Sequence, residues 1–166
     1  MIHLVIEGIS RPQGSKRHVG KGVMIESSKH VGLWRTWVRL KAVQAMAGRP
    51  QILGPVQIAI LFEFDRPKKH STTKGLRESA PQYHTCKPDA DKLLRAILDA
   101  LTGVVFKDDS QVAYCLVRKH YGRAAQTVID IAELADDKTM GGGKFHYGEP
   151  QPMKPRNVDH YDRPED

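Results

Sequence analysis

Apolar and polar positions alternate around Leu4 and Ile6 at the start of the chain, with the period of two that a half-buried strand requires. Residues 8–22 break that pattern with Gly, Pro and basic side chains and predict a loop or loose hairpin, with residues 23–26 as a short returning strand. Over residues 33–47 the period lengthens to that of a helix. Leu33, Trp37, Leu40 and Val43 fall near one face, predicted to be the buried one, and Arg35, Arg39 and Lys41 lie elsewhere. Ser27 or Ser28 is a candidate cap for this helix, and Gly48-Arg49-Pro50 ends it.

The run Val56-Gln57-Ile58-Ala59-Ile60-Leu61-Phe62-Glu63-Phe64 is the clearest strand, and its β-branched and aromatic content predicts a central place in a sheet. Residues 65–85 form a long polar loop, of the kind that is either functional or disordered. A second helix opens at Asp89 or Asp91 and runs to about Thr102, with Leu94, Ile97, Leu98 and Leu101 as its stripe and Gly103 as its stop. Residues 112–120 and 126–134 read as two strands around a turn at Gly122-Arg123, expected to be an antiparallel pair. From Asp136 onward no period survives, so residues 136–166 are expected to be a flexible or loosely packed tail after a domain spanning 1–135. The fold class this order predicts is α+β: a small mixed sheet of about four to five strands with two helices packed against it.

Composition sharpens the picture through where the charge sits. The chain of 166 residues carries a net charge of +7. Residues 1–50 hold nine Lys/Arg against two acids, residues 51–135 twelve against ten, and residues 136–166 five against seven. The basic surplus therefore lies early, as expected of a surface that meets an anionic partner. Ordinary solubility explains the sum equally well. Two cysteines, Cys86 and Cys115, make neither a zinc site nor a disulfide scaffold and fit a reducing cytoplasm. The histidines show no HxxxH or HExxH spacing. No apolar run reaches membrane-spanning length, and the N-terminus lacks a signal-peptide layout.

Against this basic background stand two pairs of carboxylates, Asp89/Asp91 and Asp108/Asp109, one helix apart. Each pair has a plain structural explanation. Acids at a helix start satisfy free N–H groups and the dipole, and Asp108-Asp109-Ser110 suits an exposed turn. Together they suggest something else, because several carboxylates at one spot repel unless a divalent cation neutralises them. A helix of about fourteen residues spans about 21 Å, so the pairs meet only if the chain doubles back sharply. Asp91, Arg95 and Asp99 share one helical face. They form either a solvated ion-pair stripe or a guanidinium beside a phosphate site, and spacing does not choose between the two.

Pro88-Asp89-x-Asp91-x-Leu93-Leu94-x-Ala96-x-Leu98-Asp99-Ala100-Leu101-Thr102-Gly103, then Val105-Phe106-Lys107-Asp108-Asp109-Ser110-Gln111-Val112, resembles the RusA-type Holliday-junction resolvases, small endonucleases common in phages and prophages. The match is dense from Lys87 to Lys119. More loosely it reaches the basic loop around Lys16 and Arg17, the following helix and the strand at residues 56–64, and it leaves out the tail. The resemblance implies a symmetric homodimer that cuts branched, four-way DNA junctions with Mg²⁺, each subunit gathering its acids into one site. It implies that Asp89, Asp91 and Asp109 are the essential carboxylates and metal ligands, with Asp108 assisting. Two positions depart from the family pattern: Lys92 stands where Asn is common, and Arg95 where a catalytic lysine is common. Arginine keeps the charge but hardly deprotonates, which leaves an electrostatic role on the scissile phosphate. The expected DNA contacts are Lys16, Arg17, Lys21, Lys68, Lys69, Lys92 and Lys119, which would hold backbone phosphates without reading sequence. The other readings are a catalytically weak branched-DNA-binding module of the same fold, or a metal-dependent nuclease for flaps or other branched substrates.

Overall fold

The computed structural model of the chain describes residues 1–14, 16–18, 24–26 and 30–134, and for the short strands 16–18 and 24–26 only the backbone. Lys21, both candidate cap serines and the expected tail at 136–166 lie outside the described residues.

Among the described residues eight strands and two α-helices follow one another: β1 Ile2–Glu7, β2 Lys16–His18, β3 Met24–Glu26, α1 Val31–Met46, β4 Val56–Asp65, β5 Ser71–Thr72, β6 Gly75–Leu76, α2 Ala90–Leu101, β7 Val112–Gly122 and β8 Gln126–Glu133. Four of the strands make one mixed sheet in the order β1-β8-β4-β7, and β2-β3 and β5-β6 are separate two-stranded pairs. This is the α+β architecture expected from the sequence. β4 is internal, parallel to β7 on one side and antiparallel to β8 on the other. Val56, Ile58, Ile60, Phe62 and Phe64 alternate into the core with Ile2, Leu4, Ile6, Ile129 and Ile131. Each such side chain, fully buried, contributes roughly 1.5–3 kcal/mol. Both helices add to the same core and touch each other.

Three expectations are corrected. β7 and β8 are not hydrogen-bonded neighbours, because β4 lies between them. The apolar alternation of β4 earns it the interior place, and the short 123–125 turn steps over its end, where Ala125 N–H donates to the Asp65 carboxylate at 2.9 Å. A Cβ at Gly122 would meet the Glu63 side chain at 3.2 Å, so a larger residue there would require that side chain to shift by a few tenths of an ångström. The second correction concerns α1. Its buried residues are Val31, Trp34, Val38, Ala42 and Met46, and Leu33, Trp37, Leu40 and Val43 are the exposed ones. Apolar residues occupy both faces, so periodicity alone did not mark the side that packs. Lys41 lies over the Trp37 ring, 5.3 Å from its centroid, and shields part of it. Third, the buried face of α2 centres on Leu93, Ala96, Ile97, Ala100 and Leu101, with Leu94 and Leu98 only partly covered.

The 65–85 loop is ordered. It contains a 3₁₀ turn at Lys68–His70 and the β5-β6 hairpin, then runs back along the outer edge of β7. There His84 N–H donates to Lys119 O and Tyr121 N–H to Gln82 O, each at 3.0 Å. Phe64 stacks on His84 and the Arg66 guanidinium lies over Tyr121, which fastens the loop to the sheet.

Candidate functional site

Asp89 is the N-cap residue of α2, with extended backbone, and its carbonyl accepts from Leu93 N–H at 3.2 Å. Its side chain makes no capping hydrogen bond. It pairs instead with Lys92, Nζ to Oδ2 at 3.0 Å, and that contact leads the influences holding its carboxyl below the usual carboxylate range. Lys87 and Lys119 nearby act in the same direction. Asp91 sits in the first turn, exposed, with no side-chain hydrogen bond or ion pair among the described residues. Arg95 is exposed one turn further on, also without such a partner there. Of the two readings of Asp91, Arg95 and Asp99, the ion-pair stripe does not form among the described residues. Asp99 is taken by Arg35 of α1 at 2.9 Å, an ion pair that ties the two helices together.

The second pair lies beyond the other end of the helix. Gly103, at φ 76°, turns the chain, and Gly103 N–H donates to Phe106 O at 2.8 Å. A 3₁₀ turn at Asp109–Gln111 then leads into β7, and its cap is a reciprocal box. The Asp108 carboxylate accepts from Ser110 N–H at 2.9 Å, and Gln111 Oε1 accepts from Lys107 N–H and Asp108 N–H at 2.9 and 3.0 Å. Bonding to Ser110 holds the Asp108 carboxyl below its ordinary range. The other end of Gln111 donates to Ile52 O and Gly54 O, both at 3.0 Å. Asp108 and Gln111 thus hold the turn in place and leave the Asp109 carboxylate exposed, with no side-chain partner among the described residues.

Two independent rulers set the distance between the pairs. α2 has 12 residues, and at 1.5 Å each spans about 18 Å. β7 runs the other way. Asp109 lies just before its first residue, Val112, while Lys119, seven residues on, holds Pro88. At about 3.3 Å per residue that is roughly 23 Å. Ligands of one hard cation lie about 2.0–2.6 Å from it, so a single chain of this shape does not offer both pairs to the same ion. Consistent with this, the described residues contain no group of three or more His, Cys, Asp or Glu side chains able to hold a metal ion. Among the described residues the two pairs therefore lie at opposite ends of α2.

The expected DNA contacts divide. Lys68 and Lys69 are exposed on the 3₁₀ turn of the ordered loop. Lys92 is exposed and paired with Asp89. Lys119 is half-buried and points at backbone, with Nζ donating to Cys86 O at 2.7 Å and to Pro88 O at 2.6 Å. The backbone of Lys16 and Arg17 lies in β2, and Lys21 is outside the described residues. Sequence reasoning missed the work of Gln111 and Lys119. For Gln111 the signal was present, since Asp108-x-x-Gln111 is a capping-box pattern.

Residues 6–132 match the family model described as Endodeoxyribonuclease RusA. A protein of Bacillus subtilis (strain 168), designated uncharacterized protein YqaN, is 34% identical over 130 residues, covering 75% of this chain and 88% of its own length. With a match that takes in both helices, the end of β1, the whole of β4 and β7, all but the last residue of β8 and both acidic pairs, the chain belongs to the RusA endodeoxyribonuclease family.

Proposed function

We propose that this chain is a Mg²⁺-dependent endonuclease that resolves four-way DNA junctions in the cytoplasm, acting as a homodimer whose acidic sites are shared between subunits. The observation that carries the reading is the pairing of family membership with three exposed carboxylates, Asp89, Asp91 and Asp109, at opposite ends of one helix. A twofold axis perpendicular to that helix, passing beside it, would set the partner's copy antiparallel. The Asp89/Asp91 end of one subunit then faces the Asp109 end of the other, and two such sites form per dimer, one for each of two opposed strands.

Carboxylate oxygens are the donor type that hard divalent cations take, so the three residues suit Mg²⁺ chemically. When bound, such an ion supplies an acidified water and charge neutralisation at the phosphate. The chain's own residues do the rest. Asp108 stays with its turn and orients Asp109. Arg95, exposed and unpaired among the described residues, binds the phosphate as a fixed charge. Lys68 and Lys69 hold backbone phosphates further out. Lys92 holds Asp89 ready and must swing away when a cation arrives.

The test is cleavage of a synthetic four-way junction with Mg²⁺ by the wild type and by Asp91→Asn. Cleavage by the wild type and its loss in the variant are expected; equal cleavage by both removes the assignment. The Lys92–Asp89 pair and the arginine at position 95 favour one alternative, a junction-binding module with weak catalysis. Junction binding that survives chelation, with no nicking over a range of divalent ions, would select it.

A further inference from the structure

The approach to α2 has a structural problem that one side chain solves. Residues 82–84 are fastened to the β7 edge by backbone hydrogen bonds and by the Tyr83–His120 bridge. After His84 the segment leaves that ladder, and by Asp89 it must start a helix. Cys86 O and Pro88 O fall in the gap, beyond the strand pairing and before the helix. Both are taken by the Lys119 ammonium, at 2.7 and 2.6 Å. Lys119 shares the helix-facing side of the sheet with its register partner Phe62, so its stem rises from the core beneath this turn.

We propose that Lys119 is a positioning residue: it ties residues 86–88 to β7 and so fixes where Asp89 and Asp91 present their carboxylates. The functional half of this inference rests on the nuclease reading above; the structural half does not. An ammonium has three N–H donors, and two are committed to carbonyls. Reaching out to a DNA phosphate would release both, which argues against the surface contact expected from sequence. What remains is the work that residues behind metal ligands do, where replacement typically lowers metal affinity about 10–100-fold.

The experiment compares wild type with Lys119→Met, which keeps the stem, and Lys119→Arg, which keeps the charge and donors. Amide hydrogen exchange on the metal-free protein is read first. Lys119→Met should speed exchange across residues 84–93 by about tenfold or more and leave the β4 strand unchanged, with Lys119→Arg restoring much of the protection. Unchanged exchange in 84–93 overturns the tether, whether or not the chain cuts DNA. In junction cleavage, Lys119→Met should raise the Mg²⁺ concentration for half-maximal rate about 10–100-fold. The rate at saturating Mg²⁺ should stay within about threefold, and junction affinity in EDTA should not move. A weaker junction complex whose salt slope falls by about one, with the Mg²⁺ response intact, would make Lys119 a phosphate contact and overturn the proposal. A collapsed maximal rate at unchanged half-saturation would make it a catalytic group and overturn it equally. A wild type that cuts no junction sinks the nuclease reading, while the exchange measurement still decides the tether.

Discussion

Gln111 is the side chain whose removal most sharply tests how Asp109 is held. It makes four hydrogen bonds to backbone, two accepted from Lys107 and Asp108 and two donated to Ile52 and Gly54. A neutral hydrogen bond contributes about 0.5–1.5 kcal/mol net. The two N–H groups lie on the exposed side and regain water when the amide is lost, so they count near the bottom of that range. The two carbonyls are partly buried and count higher. Gln111→Ala should therefore destabilise by about 2–4 kcal/mol. Gln111→Glu is the more telling change. One carboxylate oxygen still accepts from Lys107 and Asp108, but the other now faces the Ile52 and Gly54 oxygens, acceptor against acceptor. At pH 7 it should cost at least as much as the alanine. The deficit should shrink as the pH falls through the carboxyl range, because a protonated acid restores one donor. Urea denaturation of the three proteins at pH 7 and pH 4.5 reads this out. An alanine variant within about 0.5 kcal/mol of wild type would refute the strut, as would a glutamate variant that matches wild type at pH 7.

Three further predictions follow from the same geometry. Trp34→Ala should cost about 3 kcal/mol or more in chemical denaturation and Trp37→Ala less than about 1, since only the first is buried; the reverse order would mean that α1 packs by its other face. His84 and His120 both titrate below the ordinary imidazole value of about 6.5, each chiefly through burial, with Lys119 and Arg118 respectively adding to it. The unfolded chain then takes up protons first, so stability is full above pH 6.5 and falls as the pH drops through 6.5 toward the folded values; a melting temperature that is flat or rises from pH 8 to 5.5 would contradict this. Asp108→Asn keeps an oxygen for Ser110 and should retain junction cleavage, whereas Asp109→Asn should lose it; loss in both would make Asp108 a ligand too.

What the chain disclosed of itself follows a physical rule. β4 was legible, including its interior place, because its apolar alternation has no competing period. α2 was legible from Gly103 and its stripe, although its buried face was misplaced by part of a turn, since Leu94 and Leu98 are only half covered. α1 misled because Trp34 and Trp37, Val38 and Leu40 are equally apolar, and only the neighbouring elements decide which side packs. The separation of β7 from β8 is a long-range fact set by which strand claims the centre, and no local turn signal at Gly122 contains it. At the site, the acids were legible as residue types, and the helix that separates them was legible too. Lys119 was not legible as a tether, because its acceptors are backbone carbonyls some thirty residues away, where no side chain announces them.

The central claim is that each acidic site draws Asp89 and Asp91 from one subunit and Asp109 from its partner. Mixing Asp91→Asn and Asp109→Asn chains, refolded or co-expressed so that subunits exchange, tests it on a four-way junction with Mg²⁺. Each variant alone should be inactive. In a mixed dimer one shared site carries both substitutions and the other carries neither, so the mixture should recover nicking of the junction. A mixture as inactive as its parts, alongside an active wild type, would place all three acids in one subunit's site and contradict the account.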